Sequence, residues 1–414
     1  MYSNDSVLIL TGGGPAPGIN AVKSSVSKCF LENGYRVIGL NGGYEGLFSE
    51  KRDYIDIDWH QADDIFDRGG SILRMSRFKP DDEAFRERFQ IDFFRDNNIR
   101  LLVTIGGDDT ATTAGRISGF LKTKGYQISN IHVPKTIDND LPLPAGTPTF
   151  GYESAMNEGT RIARTVYEDA RSSGNWFVVS SMGRSAGHLA LGIGTACRYP
   201  MIIIPEMFDR VEVTVDRIIR LALSTIIKRM TKGIDFGAVM ISEGVFHRID
   251  QEELKPYGVH FTLDAHGHIE LGKISKALLF NEILESELTR LNLKVRTRPV
   301  DIGYDIRCQE PVAYDLSYCT QLGYGVFDLF TKGFTGCMVY VDALGSVRPL
   351  QFSNLVDRRT GKIPPRCVDV HGDRVRGIYR HMMDFITPDD YDAAGAFIDD
   401  PAYYDFYKIL DWSR

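Results

Sequence analysis

Short apolar runs that stop at a glycine- or aspartate-rich turn and hand over to a helical pattern recur along most of this chain. Ser6 to Leu10 leads into the turn Thr11-Gly12-Gly13-Gly14-Pro15-Ala16-Pro17-Gly18-Ile19-Asn20 and a helix running to about Asn33, and Tyr35 to Leu40 is the next strand. Strands joined this way pair in parallel, because a same-direction return needs a crossover connection. The grammar returns at Leu101 to Ile105, Ile131 to Val133, Trp176 to Ser180, Met201 to Glu206 and Gly237 to Ile241. Helical patterns cover Asp81 to Asn97, Ser154 to Ser172 and Val213 to Thr231, and a further helix is expected to begin near Thr110 to Thr113, where threonines can cap it. No fixed-period repeat interrupts the pattern, which excludes a solenoid. The expected fold class is α/β, with functional residues at the carboxyl ends of the strands, the edge where open α/β sheets bind ligands.

Size and charge narrow the function. A chain of 414 residues with 43% hydrophobic content can bury two domain cores, and the proline-rich bend from Leu141 to Pro148 marks a boundary near residue 149. Its 48 basic and 55 acidic residues leave a net charge of −7, which offers no general attraction to nucleic acid or to an anionic membrane. An anionic substrate therefore needs a local basic cluster. The cysteines (Cys29, Cys197, Cys308, Cys319, Cys337, Cys367) are scattered with no CxxC pair, so free thiols in a reducing compartment are expected rather than a zinc site or a disulfide framework. With no run of 18 apolar residues and no leader-like start, the expectation is a cytoplasmic protein with no membrane partner.

Two turns carry the densest chemistry. Gly106-Gly107-Asp108-Asp109-Thr110 follows one apolar run, and Pro134-Lys135-Thr136-Ile137-Asp138-Asn139-Asp140 follows another. A carboxylate at Asp108 suits magnesium, a hard cation that shares oxygen ligands with substrate phosphates. Asp109 either joins it or excludes a phosphate by repulsion. Asp138 and Asp140 are spaced two apart and fall on one side if the segment is extended, so one could take a proton while the other steadies it. The alternative is a polar turn bonding its own backbone. Lys135 is a point charge for phosphate. The turn at Gly12 to Gly18 either brings backbone N–H groups to a phosphate or merely packs strand on helix. The strand grammar also sets Met182-Gly183-Arg184, Glu243, Arg298, Tyr304 and Arg307 near the same kind of edge.

Taken in order, these motifs, with Gly43-Tyr44-Glu45-Gly46-Leu47 and Gly69-Gly70 followed by Arg77, resemble the phosphofructokinase family from Leu8 to roughly Asn354. The resemblance implies two Rossmann-like three-layer α/β/α domains with a cleft between them. A donor-binding domain would comprise residues 1–149 plus about 306–356, and a sugar-phosphate domain residues 150–305, with 357–414 an extension packing on the domains. It implies Asp138 as the base that takes the sugar 1-hydroxyl proton, Asp140 as its neighbour near Mg2+, Thr136 contacting the transferring group, and Arg184 stabilising transition-state charge. Gly13 and Asp108 would face donor phosphate and metal. Met182, Gly183, Glu243, Arg298, Tyr304 and Arg307 would bind fructose 6-phosphate, with Tyr304 standing where many relatives have histidine. A homo-oligomer, dimer or tetramer, is implied as well.

Asp109 and Lys135 stand where many ATP-using relatives have glycine, and both resemble the pyrophosphate-dependent branch. A carboxylate at 109 would repel the α-phosphate of ATP. The expected reaction is reversible, Mg-dependent transfer from pyrophosphate to fructose 6-phosphate. Alternatives are an ATP-dependent enzyme, a kinase of another sugar phosphate such as sedoheptulose 7-phosphate, or a non-catalytic regulatory subunit. Asn175 aligns where tetrameric relatives carry an arginine that reaches a neighbouring subunit's sugar phosphate, a departure from the family pattern.

Overall fold

The computed structural model describes residues 5–257, 275–355, 357, 359 and 363–413. Its strands are β1 (Ser6–Thr11), β2 (Arg36–Leu40), β3 (Tyr54–Asp56), β4 (Ile99–Gly106), β5 (Ser129–Pro134), β6 (Trp176–Ser181), β7 (Met201–Ile203), β8 (Gly237–Ser242), β9 (Thr297–Ile302), β10 (Cys337–Val341) and β11 (Val347–Gln351). The chain divides into two compact units, Met1–Ala155 with Arg307–Arg366, and Met156–Ile306 with Cys367–Arg414.

The first unit holds a seven-stranded sheet in the order β11-β10-β5-β4-β1-β2-β3. Its inner pairs are parallel, while the edge pairs β2 with β3 and β10 with β11 are antiparallel. Every residue of β1 is buried, as are all residues of β4 except Arg100, which explains why these strands read as unbroken apolar runs. Helix Ile19–Glu32 provides the crossover from β1 to β2 and packs on helix Ala313–Thr331. The helical pattern from Asp81 to Asn97 is broken in two, Asp82–Glu87 and Asp92–Asp96. The chain leaves the first piece at Arg88, whose Nε donates to the Phe48 carbonyl at 3.2 Å and whose guanidinium lies over the Phe78 ring. Phe85, Phe89, Phe93 and Phe94 then fold into one aromatic cluster over β1 and β2.

The second unit holds a wholly parallel sheet in the order β7-β8-β6-β9. Helix Val215–Thr231 begins at Thr214, whose hydroxyl accepts from the Arg217 N–H at 3.2 Å. The final segment is an integral part of this unit: the buried Glu206 carboxylate accepts from the N–H of Gly187 at 3.0 Å and of Val368 at 2.9 Å.

Asp315 illustrates how the first unit ties distant segments together. Fully buried, it accepts from the N–H of Gly151 at 3.0 Å and of Ser154 at 2.8 Å, at the start of helix Tyr152–Ser173. A carboxylate there satisfies donors that a helix start leaves open. Replacing Asp315 with Ala is expected to cost about 2–4 kcal/mol, and Asp315→Asn less, because the amide keeps one acceptor oxygen for these buried N–H groups whereas alanine keeps none. Urea unfolding of the two variants checks this.

Candidate active site

In the first unit the chain runs from β1 out to β2 and returns past β1 to β4, so the carboxyl ends of β1 and β4 flank a topological switch point. The turn after β1 meets it with Gly13 (φ 78°) and Gly18 (φ 94°) in left-handed conformations that glycine adopts without strain. The following helix has no side-chain N-cap, which leaves its first N–H groups facing this turn. Lys135 is 5% exposed, and its Nζ donates to the Gly14 carbonyl at 2.6 Å. Burial, aided by the nearby positive charge of Arg307, pushes the amine down to about 8. Arg307 lies across the same turn, where Nε donates to the Pro15 carbonyl at 3.4 Å. A Cβ on Gly14 would stand 1.7 Å from its Nη2, so any other residue there would displace the guanidinium from this position. Gly13, Gly14, Lys135 and Arg307 thus form one cationic turn.

Asp108 and Asp109 occupy the first turn of helix Asp108–Thr123, which begins earlier than its threonines suggest. Gly107 is the N-cap, and the Thr112 and Thr113 hydroxyls donate back to the carbonyls of Asp108 (3.0 Å) and Asp109 (2.9 Å) instead of capping. Burial on its inner side, then the negative charges of Asp109 and Asp140, raise the Asp108 carboxyl above the usual carboxylate range. The Asp109 carboxylate meets the Lys79 amine at 2.7 Å.

Thr136 to Asp140 is not extended, so strand alternation does not place the two aspartates on one face. Asn139 is left-handed (φ 55°), a conformation that asparagine tolerates better than other residues with a Cβ. Its Oδ1 accepts from the Thr149 N–H at 3.1 Å, while the Thr149 hydroxyl donates to the Thr136 carbonyl at 2.7 Å and the Asp138 N–H donates to Thr136 Oγ1 at 3.0 Å. Arg366, which no sequence motif singled out, also reaches this turn. Its Nε and Nη2 donate to the Asn139 carbonyl at 3.2 and 3.0 Å, Nη2 also donates to Asn139 Oδ1, and Nη1 donates to the carbonyls of Leu143 and Thr147 at 3.3 and 2.8 Å.

In the second unit a separate group gathers at the carboxyl ends of β6, β8 and β9. The Met182 N–H donates to the Ile302 carbonyl at 3.2 Å, and Ser242 Oγ donates to the Gly183 carbonyl at 3.3 Å. A Cβ on Gly244 would come within 2.9 Å of the Gly183 and Arg184 carbonyls, so the Met182-Gly183-Arg184 turn packs directly on Ser242-Glu243-Gly244. Glu243 pairs with the buried Lys276 amine at 2.9 Å. Tyr304 follows β9 and is 68% exposed. Arg298 does not share this edge. It is the second residue of β9 and pairs with Phe177 at the start of β6, so it stands at the amino end of the sheet, a strand length from Tyr304. Asn175 donates to Ser173 Oγ at 2.7 Å, and Arg171 pairs with Glu168.

Residues 6–330 match the family model described as phosphofructokinase. The chain belongs to the phosphofructokinase family. Two relatives named pyrophosphate--fructose 6-phosphate 1-phosphotransferase are each 37% identical to this chain: that of Naegleria fowleri over 91% of this chain and 87% of the relative, and that of Thermotoga maritima over 91% and 90%. A Streptomyces coelicolor protein named ATP-dependent 6-phosphofructokinase 2 is 32% identical over 80% of this chain and 89% of its own. The solved structure of a pyrophosphate-dependent phosphofructokinase from Nitrosospira multiformis shares the fold, with a TM-score of 0.69 at 20% identity over 95% of this chain and 92% of that one.

In the first unit His132 ties β5 to β4. Within β5, Nε2–H donates to the Gly106 carbonyl at 2.9 Å and Nδ1 accepts from the Thr104 hydroxyl at 2.8 Å, at the end of β4. Burial pushes its pKa down from 6.5 to about 3, so the folded protein keeps it neutral while the unfolded chain binds a proton below 6.5. Acidification therefore favours unfolding through this group. From roughly pH 6 to 4, wild-type unfolding free energy is expected to fall about 1 kcal/mol per pH unit more steeply than that of His132→Gln. Urea titrations at a series of pH values measure the difference.

Proposed function

We propose that this chain transfers a phosphoryl group reversibly between pyrophosphate and the 1-hydroxyl of fructose 6-phosphate, giving fructose 1,6-bisphosphate and phosphate. The observation that carries the choice of donor is the Asp109 carboxylate, set in the first turn of helix Asp108–Thr123 and paired with Lys79. A fixed negative charge beside a phosphate site penalises a further phosphate, which ATP has and pyrophosphate lacks. The relatives named for pyrophosphate at 37% identity support the same reading.

In the proposed mechanism Asp138 accepts the proton of the attacking hydroxyl, with Asp140 and Thr136 beside it, and the cationic turn of Gly13, Lys135 and Arg307 receives the donor phosphates; Arg307, expected with the sugar-phosphate residues, is set here because it lies on the glycine turn after β1. Met182, Gly183, Glu243 and Tyr304 bind the sugar phosphate, and Arg184 stabilises the charge of the transferring group. Arg298 remains a candidate for the sugar phosphate only from the amino end of its sheet. Among the described residues no group of three His, Cys, Asp or Glu side chains could hold a metal alone. One carboxylate at Asp108, crowded by like charge, fits magnesium, which binds one or two carboxylates and completes its shell with phosphate oxygens and water. When bound, the ion would neutralise phosphate charge. Among the described residues no helix is long and apolar enough to cross a membrane, and a cytoplasmic, homo-oligomeric enzyme is part of the proposal.

Assays crossing pyrophosphate and ATP with fructose 6-phosphate and sedoheptulose 7-phosphate test the reading. Turnover with pyrophosphate and fructose 6-phosphate is expected, and turnover with ATP alone would overturn the donor assignment. Asp109→Gly is expected to raise ATP use at the expense of pyrophosphate, whereas an enzyme built for ATP would show no gain. Asp138→Asn is expected to lower kcat by about 10²–10⁴-fold, the range for loss of a general base.

A further inference from the structure

Arg366 lies far along the chain from the motifs of the active edge, yet its contacts converge on the one turn that carries the base. A guanidinium has five N–H donors in a planar fork. Those of Arg366 are directed to the Asn139 carbonyl twice, Asn139 Oδ1, and the carbonyls of Leu143 and Thr147. Its backbone N–H donates to the Asp140 carbonyl at 2.6 Å. The side chain is half-buried, and burial is the main influence lowering its pKa, opposed by the negative charge of Asp140. A cation held in this way by five hydrogen bonds to four acceptors is not a solvated surface residue.

The acceptors explain what the arrangement does. Asn139 is left-handed, and Asp138 and Asp140 flank it, so the directions of both carboxylates follow from whether that conformation is kept. Arg366 bonds the carbonyl and the side chain of Asn139 together, and with Thr149 it leaves Asn139 Oδ1 no freedom to release the turn. The Leu143 and Thr147 carbonyls fix the other end of the proline-rich bend that follows. We infer that Arg366 is a positioning residue for the Asp138 base: it acts through the backbone of Asn139 and Asp140 and holds the turn in its reactive form. Lysine has three donors on a single point and cannot reproduce a fork spread over three carbonyls.

This inference rests on Asp138 being the base, and its test keeps the two apart. Each variant is assayed with whichever donor the wild-type enzyme uses, so the donor assignment does not enter. Arg366→Lys and Arg366→Ala are each expected to lower kcat about 100-fold with KM changed less than about threefold, the pattern of a displaced reacting group rather than lost binding. Added guanidinium should restore part of the kcat of Arg366→Ala and leave wild type and Asp138→Asn unchanged. Wild-type kcat in Arg366→Lys, or a folded Arg366→Ala that guanidinium does not rescue, overturns the positioning role while leaving Asp138 as base intact. Undiminished kcat in Asp138→Asn overturns the base itself.

Discussion

A left-handed residue between two aspartates is the constraint on which the active edge of the first unit depends. Turning the chain at Asn139 costs roughly 1 kcal/mol for an L-residue, and the structure offsets that cost with bonds from Thr149 and Arg366. The parallel sheet beneath supplies the level. Gly106 pairs with Pro134, and the Lys135 N–H donates to the Gly106 carbonyl at 2.8 Å, so the turns carrying Asp108 and Asp138 leave neighbouring strands at one height. Strand register, a buried histidine bridging β4 and β5, and one left-handed turn together set where the carboxylates stand.

Charge is arranged against the balance of the whole chain. The protein is net acidic, yet Lys135 and Arg307 lie on the glycine turn after β1, and the charge of Arg77 is also felt by Lys135. Positive groups held close in low-dielectric surroundings depress one another's affinity for protons, and a phosphate between them would reverse that penalty. Across the same edge Asp108, Asp109 and Asp140 crowd negative charge, which a divalent cation would relieve. The two clusters divide the edge into a side suited to phosphate and a side suited to a cation.

Much of this was legible from the order of residues, and the failures share a cause. The strand, turn and helix grammar depends on local chemistry, such as glycine where φ is positive and unbroken apolar runs where both faces are buried, and it placed the turns after β1, β4, β5, β6 and β8. The condition that would set Asp138 and Asp140 on one side, an extended segment, is not met, because Asn139 is turned and its turn is held by residues elsewhere. Arg366 lies 227 positions from Asn139, and nothing in the local pattern after Pro364 and Pro365 signals such a contact. Arg298 was set at the wrong end of its strand because composition alone does not say where β9 begins. The helix expected over Asp81 to Asn97 ends its first piece at Arg88, whose side chain bonds the distant Phe48 carbonyl.

In the proposed reaction Asp138 passes a proton during direct exchange of phosphate between the sugar and pyrophosphate. Fructose 1,6-bisphosphate labelled in its 1-phosphate, incubated with the enzyme, magnesium and inorganic phosphate, measures this in the reverse direction. Label should appear in pyrophosphate with the wild-type protein and be nearly absent with Asp138→Asn. Label that enters ATP when ADP is supplied but never enters pyrophosphate, or that enters pyrophosphate equally well in Asp138→Asn, would contradict it.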